Sequence, residues 1–174
     1  MRIVSVLEDL NIEKRIAITP EIAKKYISLG LEVMLPNNYA NHLGIKDAEY
    51  SDVGVIISKD ENEIINNTDI IVQLGLPTEN KSSLMKENQT LVGVLNPFSN
   101  QNKIKELVKK KVNVLSLELL PRITRAQSMD ILSSQANLAG YKAVLESFAN
   151  FEKAIPMMMT AAGTVPAAKV LVVG

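Results

Sequence analysis

Short apolar runs alternate along this chain with segments whose apolar residues recur at three- and four-residue spacing. "RIVSV" (2–6), "LEVMLP" (31–36), "GVIIS", "DIIVQLGLP" (69–77), "TLVGVLNP" (90–97) and "VNVLSLE" (112–118) predict strands. Helices are predicted between them: 19–30, 47–52, the polar "KDENEIINNT", "KSSLMKE", and 100–111 with a basic outer face. The first of these carries its own punctuation, with Thr19 at the cap, Pro20 and Glu21 in the first turn and Gly30 at the stop. Strands separated by helices of this length predict parallel βαβ units wound on one sheet. The fold class expected is therefore α/β, a doubly wound, mostly parallel sheet of the Rossmann or flavodoxin-like kind, over residues 1–125.

The pattern then changes. Gln127 to about Phe151 predicts one long helix in which Met129, Leu132, Ala136, Ala139, Ala143 and Ser147 form a buried stripe. Gly140 lies within that stripe at a cost of about 1 kcal/mol against alanine, which suggests close packing against another backbone. This inter-domain helix is assigned to residues 126–155. Residues 156–168, "PMMMTAAGTVPAA", read as a small-residue connector, with the methionines expected to pack, and "KVLVVG" (169–174) as a new strand. "VLVV" is apolar on both faces, as parallel strands covered by helices are. A strand followed by Gly174 is how a dinucleotide-binding βαβ unit begins. The expectation is that 156–174 enters a second, dinucleotide-binding domain of a longer protein; the alternative is that "VLVV" adds to the first sheet.

Composition narrows the chemistry. The 174 residues are 47% hydrophobic, enough for a real core. Lys+Arg and Asp+Glu both number 19, so the balance points to neither nucleic acid nor a membrane surface. The absence of cysteine removes disulfides, thiol chemistry and Cys-ligated metals. No apolar run reaches the ~20 residues of a membrane span, and the N-terminus lacks a signal-peptide pattern. A soluble, cytoplasmic polypeptide is expected. No His/Asp/Glu cluster has metal-ligand spacing, and neither a G-x-S-x-G elbow nor a P-loop is present. His42, the one histidine, is expected in a surface loop. Arg15 precedes a helix N-terminus, where it could meet an anion or pair with Glu13 or Glu8.

The richest stretch is "PRITRAQSMDILSSQANLAGYKAV" (121–144). On a helical wheel Gln127, Asp130, Ser134, Asn137 and Tyr141 share a polar arc, and Arg122 and Arg125 precede it on a segment that Pro121 keeps extended. Arginine supplies fixed donors, glutamine a carbonyl and an amide, aspartate an acceptor. Such a set suits a neutral carboxamide such as that of a nicotinamide ring. A structural reading competes: Thr124-x-x-Gln127 fits a capping box, Asp130 complements the helix dipole, and both arginines are solvated.

That same stretch closely resembles the signature of the NAD-binding (alpha) subunit of proton-translocating NAD(P) transhydrogenases. "MRIVSVLED…EKRIAITPE" and "TAAGTVPAAKVLVVG" fit the same family, the first being shared with alanine dehydrogenases, and the resemblance covers the whole chain. It implies two α/β domains with NAD(H) in the cleft between them, and hydride transfer from NADH to NADP bound on another subunit, coupled to proton movement by membrane subunits. It implies Arg122, Gln127 and Asp130 as the loop residues at the nicotinamide, where hydride transfer occurs, with Ser128, Met129, Ile131 and Ser133 completing the cofactor contacts and Gly174 opening the pyrophosphate site. A homodimer of the parent subunit, seated at the cytoplasmic face of the inner membrane through its partners, is also implied, as is inactivity of these 174 residues alone. Alanine dehydrogenase is the enzymatic rival. That family carries a lysine and a histidine for the keto acid where this sequence has Gln73 and Asn96, and of that set only Arg15 remains. A non-enzymatic α/β module binding a partner through the 127–141 face is the third reading.

Overall fold

A computed structural model describes residues 1–173, which divide into two compact units, Met1–Met129 and Asp130 onward. The first unit is built on six strands: β1 (Arg2–Val4), β2 (Glu32–Pro36), β3 (Ile56–Ser58), β4 (Ile70–Gln73), β5 (Thr90–Gly93) and β6 (Asn113–Ser116). Every pairing is parallel and the spatial order is β3-β2-β1-β4-β5-β6. The connections are α1 (Pro20–Ser28), α2 (Asp47–Ser51), α3 (Glu61–Asn66), α4 (Glu79–Leu84) and α5 (Gln101–Lys109). The doubly wound α/β expectation holds, and the order reverses between β1 and β4.

Alternation along the strands builds two cores. Ile3, Val33 and Leu35 face Ala23 of α1 and Tyr50 of α2, while Val4, Met34 and Ile71 face Ile64 and Ile65 of α3 and Leu107 of α5. Each strand is apolar on both faces, as a parallel sheet with helices on both sides requires. Local chemistry sets the helix starts. The Thr19 side chain accepts from Ile22 N ahead of Pro20, and Asp60 accepts from the amides of Asn62 and Glu63. Tyr39 and Tyr50 meet edge to face inside the first of these cores, and their hydroxyls bond to backbone: Ala17 and Ile18 N donate to Tyr39, and Tyr50 donates to Ile18 O.

The strands are shorter than their apolar runs, because side chains take over where the ladders stop. Beyond Val4, the amide of Gln73 does so: Oε1 accepts from Val6 N at 3.2 Å and Nε2 donates to Val6 O at 3.1 Å. Gln73 is 2% exposed, so these bonds satisfy buried groups on both partners.

The second unit holds α6 (Ile131–Ala149) and an antiparallel hairpin of β7 (Met158–Thr160) and β8 (Gly163–Val165). Several expectations are corrected here. The helix begins at Ile131, not Gln127, because Thr124–Met129 winds as a 3-10 helix first. Its stripe is not buried: α6 has no buried residue, and Leu132, Leu138, Val144 and Phe148 are all exposed. Two strands of three residues cannot cover a 19-residue helix. Gly140 is approached by no other backbone among the described residues, since a Cβ there would meet nothing within 4 Å. The connector folds as the hairpin, with Met157 and Met159 exposed rather than packed. Residues 169–173 form no strand, because they have no ladder partner among the described residues. The Gly174 expectation lies outside the described residues.

One position in the sheet has no room. A Cβ on Gly93 would lie 2.2 Å from the carbonyl oxygen of Gln73 on the neighbouring strand, which is backbone and cannot swing aside. Gly93→Ala is expected to force β4 and β5 apart and lower stability by about 1–3 kcal/mol, read by chemical denaturation; an unchanged midpoint would refute this.

Candidate functional site

The carboxyl ends of β1 and β4, where the strand order reverses, open on a crevice of about 260 Å³ lined by Glu8, Glu13, Gln73, Gly75, Lys81 and Lys103. This is where open α/β sheets hold ligands. Here most of the polar equipment is already committed inward. Glu8 Oε1 accepts from Leu74 N at 2.7 Å and Gly75 N at 3.4 Å. Lys81 donates to Leu7 O at 2.6 Å and pairs with Glu61 at 2.8 Å, while Glu61 accepts from Leu7 N. Gln73 Oε1 also accepts from Ser5 Oγ, which in turn accepts from the Tyr39 hydroxyl at 2.8 Å. Arg15 is held by Glu13 through Nε at 2.8 Å and Nη2 at 2.6 Å. His42 is exposed and bonds Lys14 O at 2.7 Å, in a surface turn as expected.

These commitments bear on the keto-acid alternative. Gln73 turns its amide into the backbone of Val6 and cannot reach a substrate without breaking buried bonds. Asn96 sits in the left-handed region (φ 47°), with its N–H held by the carboxylate of Glu118. As carboxamides, Gln73 and Asn96 offer neither an acid nor a base at these strand ends.

Burial raises the Glu8 carboxyl, outweighing the hydrogen bonds from Leu74, Gln73 and Gly75 that favour its charge; the nearby charge of Glu13 raises it further. Glu118 is the opposite case. Burial alone would raise it, but hydrogen bonds from its own backbone N–H, Ser116, Asn96 and Leu95 together hold it below the ordinary 4.5.

The segment 121–129 leaves β6 through a 3-10 turn at Leu117–Leu119. Its backbone bonds are local: Ile123 N to Pro121 O and Ala126 N to Ile123 O, both 2.9 Å. Only Ala126 is buried in this stretch. Arg122, Arg125, Gln127 and Ser128 are exposed, and Met129 is 54% exposed. The side chains of Arg122 and Gln127 make no hydrogen bond or ion pair with any described residue. The capping-box reading is therefore not what is observed. The cap of α6 is Asp130, whose Oδ1 accepts from Ser133 N at 3.0 Å and Oδ2 from Ser133 Oγ at 2.7 Å. Asp130 and Ser133 thus have a structural task at the helix start, with Ile131 as its first residue. Sequence reasoning missed Glu118 and Gly93. The signal for Glu118 was a lone acid at the end of an apolar strand run; for Gly93 there was none beyond its being a glycine inside a strand.

Among the described residues no group of three or more His, Asp or Glu could hold a metal ion, and no helix is long and apolar enough to cross a membrane.

The strand order and the switch-point crevice define a doubly wound α/β domain. The profile of the alanine dehydrogenase/PNT N-terminal domain matches residues 6–139, and the chain belongs to that family. It is 44% identical, over its full length, to an NAD(P) transhydrogenase subunit alpha polypeptide of Rickettsia prowazekii, of which it covers 46%. A crystal structure of a transhydrogenase from Sinorhizobium meliloti superposes with a TM-score of 0.88 at 38% identity, over 95% of this chain and 50% of that one. Alanine dehydrogenase of Methanococcus maripaludis is more distant, 26% identical over 75% of this chain and 34% of that protein. The chain thus spans about half the length of the curated transhydrogenase relative it matches.

Replacing Glu8 tests the crevice. A carboxyl whose folded pKa lies above its unfolded one contributes stability that is present in full below the ordinary 4.5 and is lost as pH rises through the folded value. Glu8→Gln removes that loss, so the stability of the variant relative to the parent chain is expected to improve from about pH 4 to about pH 7. Denaturation midpoints at both values decide it; a gap that is constant or moves the other way refutes the assignment.

Proposed function

We propose that this chain is the first half of the NAD(H)-binding alpha subunit of a proton-translocating NAD(P) transhydrogenase, and that segment 122–133 meets the nicotinamide. The observation that carries this is Gln127: the helix is capped by Asp130, so Gln127 and Arg122 are released from structural duty and exposed. The carboxamide of nicotinamide has one acceptor oxygen and two N–H donors. Arg122 supplies donors to the oxygen, and Gln127 supplies a carbonyl to the amide and an amide of its own. The residues present therefore fit the group. Ser128, Met129 and Ile131 are assigned to the wall of the same loop, and Asp130 with Ser133 to its hinge into the helix.

Hydride transfer from NADH to NADP+ is the cofactors' own chemistry, so no side chain here acts as a general base. The task of this segment would be to hold and orient one nicotinamide ring, through Arg122 and Gln127, for transfer to a second ring on a partner subunit. The pyrophosphate and adenosine contacts, beginning near Gly174, are assigned to the second half of the parent subunit. NADP(H) is assigned to a partner subunit, proton movement to membrane subunits, and the parent to a homodimer at the cytoplasmic face of the inner membrane. Similarity to transhydrogenase subunits supports this over an alanine dehydrogenase, as does the inward commitment of the Gln73 amide.

Gln127→Asn in the full-length subunit is expected to slow hydride transfer about 10- to 100-fold, since the shorter amide misplaces the ring, while NADH affinity changes little. Single-turnover kinetics and equilibrium titration separate the two, and equal losses in both would defeat the reading. Asp130→Asn keeps a good cap, so helicity by circular dichroism is expected to stay while transfer slows. Unchanged transfer would leave Asp130 a cap and nothing more.

A further inference from the structure

The β5–β6 ladder ends at Gly93 opposite Ser116. Two residues further along the same register stand Leu95 and Glu118. The Glu118 carboxylate takes up the pairing that the backbone drops: Oε2 accepts from Leu95 N at 3.3 Å and from Ser116 Oγ at 2.8 Å, and Oε1 accepts from Asn96 N. The turn it grips is itself tight, with Ser99 N and Asn100 N both donating to Asn96 O and the Asn100 side chain donating to Leu95 O. Three residues separate Glu118 from Arg122. Around them the chain makes local backbone bonds, Leu120 N to Leu117 O and Ile123 N to Pro121 O. The 117–129 segment is thus tied at its root to the turn after β5 by the Glu118 carboxylate, and of residues 121–129 only Ala126 is buried.

We propose that Glu118 is a positioning residue for hydride transfer: its carboxylate fixes the point from which the 121–129 loop departs, and so the conformation in which Arg122 and Gln127 are presented. This rests on the nicotinamide reading of that loop. The chemistry requires a charged carboxylate, because two backbone N–H groups and a hydroxyl converge on it and only an acceptor-only group with two oxygens serves them all. A carboxamide of the same shape turns an N–H₂ donor toward one of those N–H groups. The side chain is held in its ionised form by these same donors.

The test is Glu118→Gln, with Gln127→Asn as the companion variant. In residues 1–174, amide hydrogen exchange is expected to quicken roughly tenfold across 121–129 while the amides of β1, β2 and β4 keep their protection. In the full-length subunit with its NADP-binding partner, kcat for transhydrogenation is expected to fall about 10- to 100-fold, with the Kd for NADH changing less than about twofold. Exchange that quickens throughout the sheet, with kcat and Kd worsening together, would make Glu118 a stabilising residue only and overturn the proposal. So would unchanged exchange with unchanged kcat. Gln127→Asn separates the two ideas. If it slows transfer and Glu118→Gln does not, the nicotinamide reading stands and the Glu118 proposal falls. If Gln127→Asn leaves transfer intact, the nicotinamide reading itself falls and takes the positioning role with it.

Discussion

The amide of Gln73 holds together the place on which the first unit turns. Where β1 stops, the chain must leave the sheet at the one position where its neighbours' connections run to opposite faces, and the N–H and C=O of Val6 would be left buried without partners. Gln73 answers both with a donor and an acceptor from one side chain. Through Ser5 the bond reaches Tyr39, whose hydroxyl takes two amides just ahead of α1. A buried network of this kind holds its shape because every member is satisfied, and no buried side-chain polar atom among the described residues lacks a partner. The segment from Ser5 to Ile18 is thereby fixed at both ends without secondary structure of its own.

The same device recurs at the other side of the sheet, where Glu118 continues the β5–β6 pairing onto Leu95 and Asn96. In both places a side chain extends a ladder past the last backbone pair. The two differ in what they leave free. At β1 and β4 the polar groups turn inward and the crevice offers few uncommitted ones. Beyond β6 the clamp consumes only Glu118 and Ser116, and the segment that follows keeps Arg122 and Gln127 outward. That asymmetry favours the 121–129 loop for the proposed ligand-facing chemistry, over the strand ends where α/β domains ordinarily bind.

Much of the first unit was legible in the chain. Alternation at Ile3/Val4 and Val33/Met34/Leu35 identified strands covered on both faces, and Thr19-Pro20 identified the start of α1, because each is a local signal. The 121–144 stretch was legible as a candidate site, but which of its residues capped the helix was not. Thr124-x-x-Gln127 fits a capping box on sequence, with Asp130 inside the first turn, and the outcome depends on where the 3-10 winding of 124–129 gives way to α6. Strand ends were misjudged for a related reason: "RIVSV" and "VNVLSLE" stay apolar past the last backbone pair, and side-chain bonds that no periodicity announces replace the ladder there.

What the sequence by itself determined, then, was the kind and order of elements in the first unit, the winding of one sheet, and a polar stretch with the donors and acceptors for a carboxamide. These follow from side-chain period, caps and residue chemistry, all of which act over a few positions. Tertiary structure alone decided which strand neighbours which, that Gly93 faces the Gln73 carbonyl, that Gln73 and Glu118 finish their ladders, and that Asp130 rather than Thr124 caps α6. It also decided that "VLVV", apolar as it is, makes no strand here. Each of these depends on a partner tens of residues away or on the angle at which a helix starts, and a strand exists only where a second backbone lies alongside it.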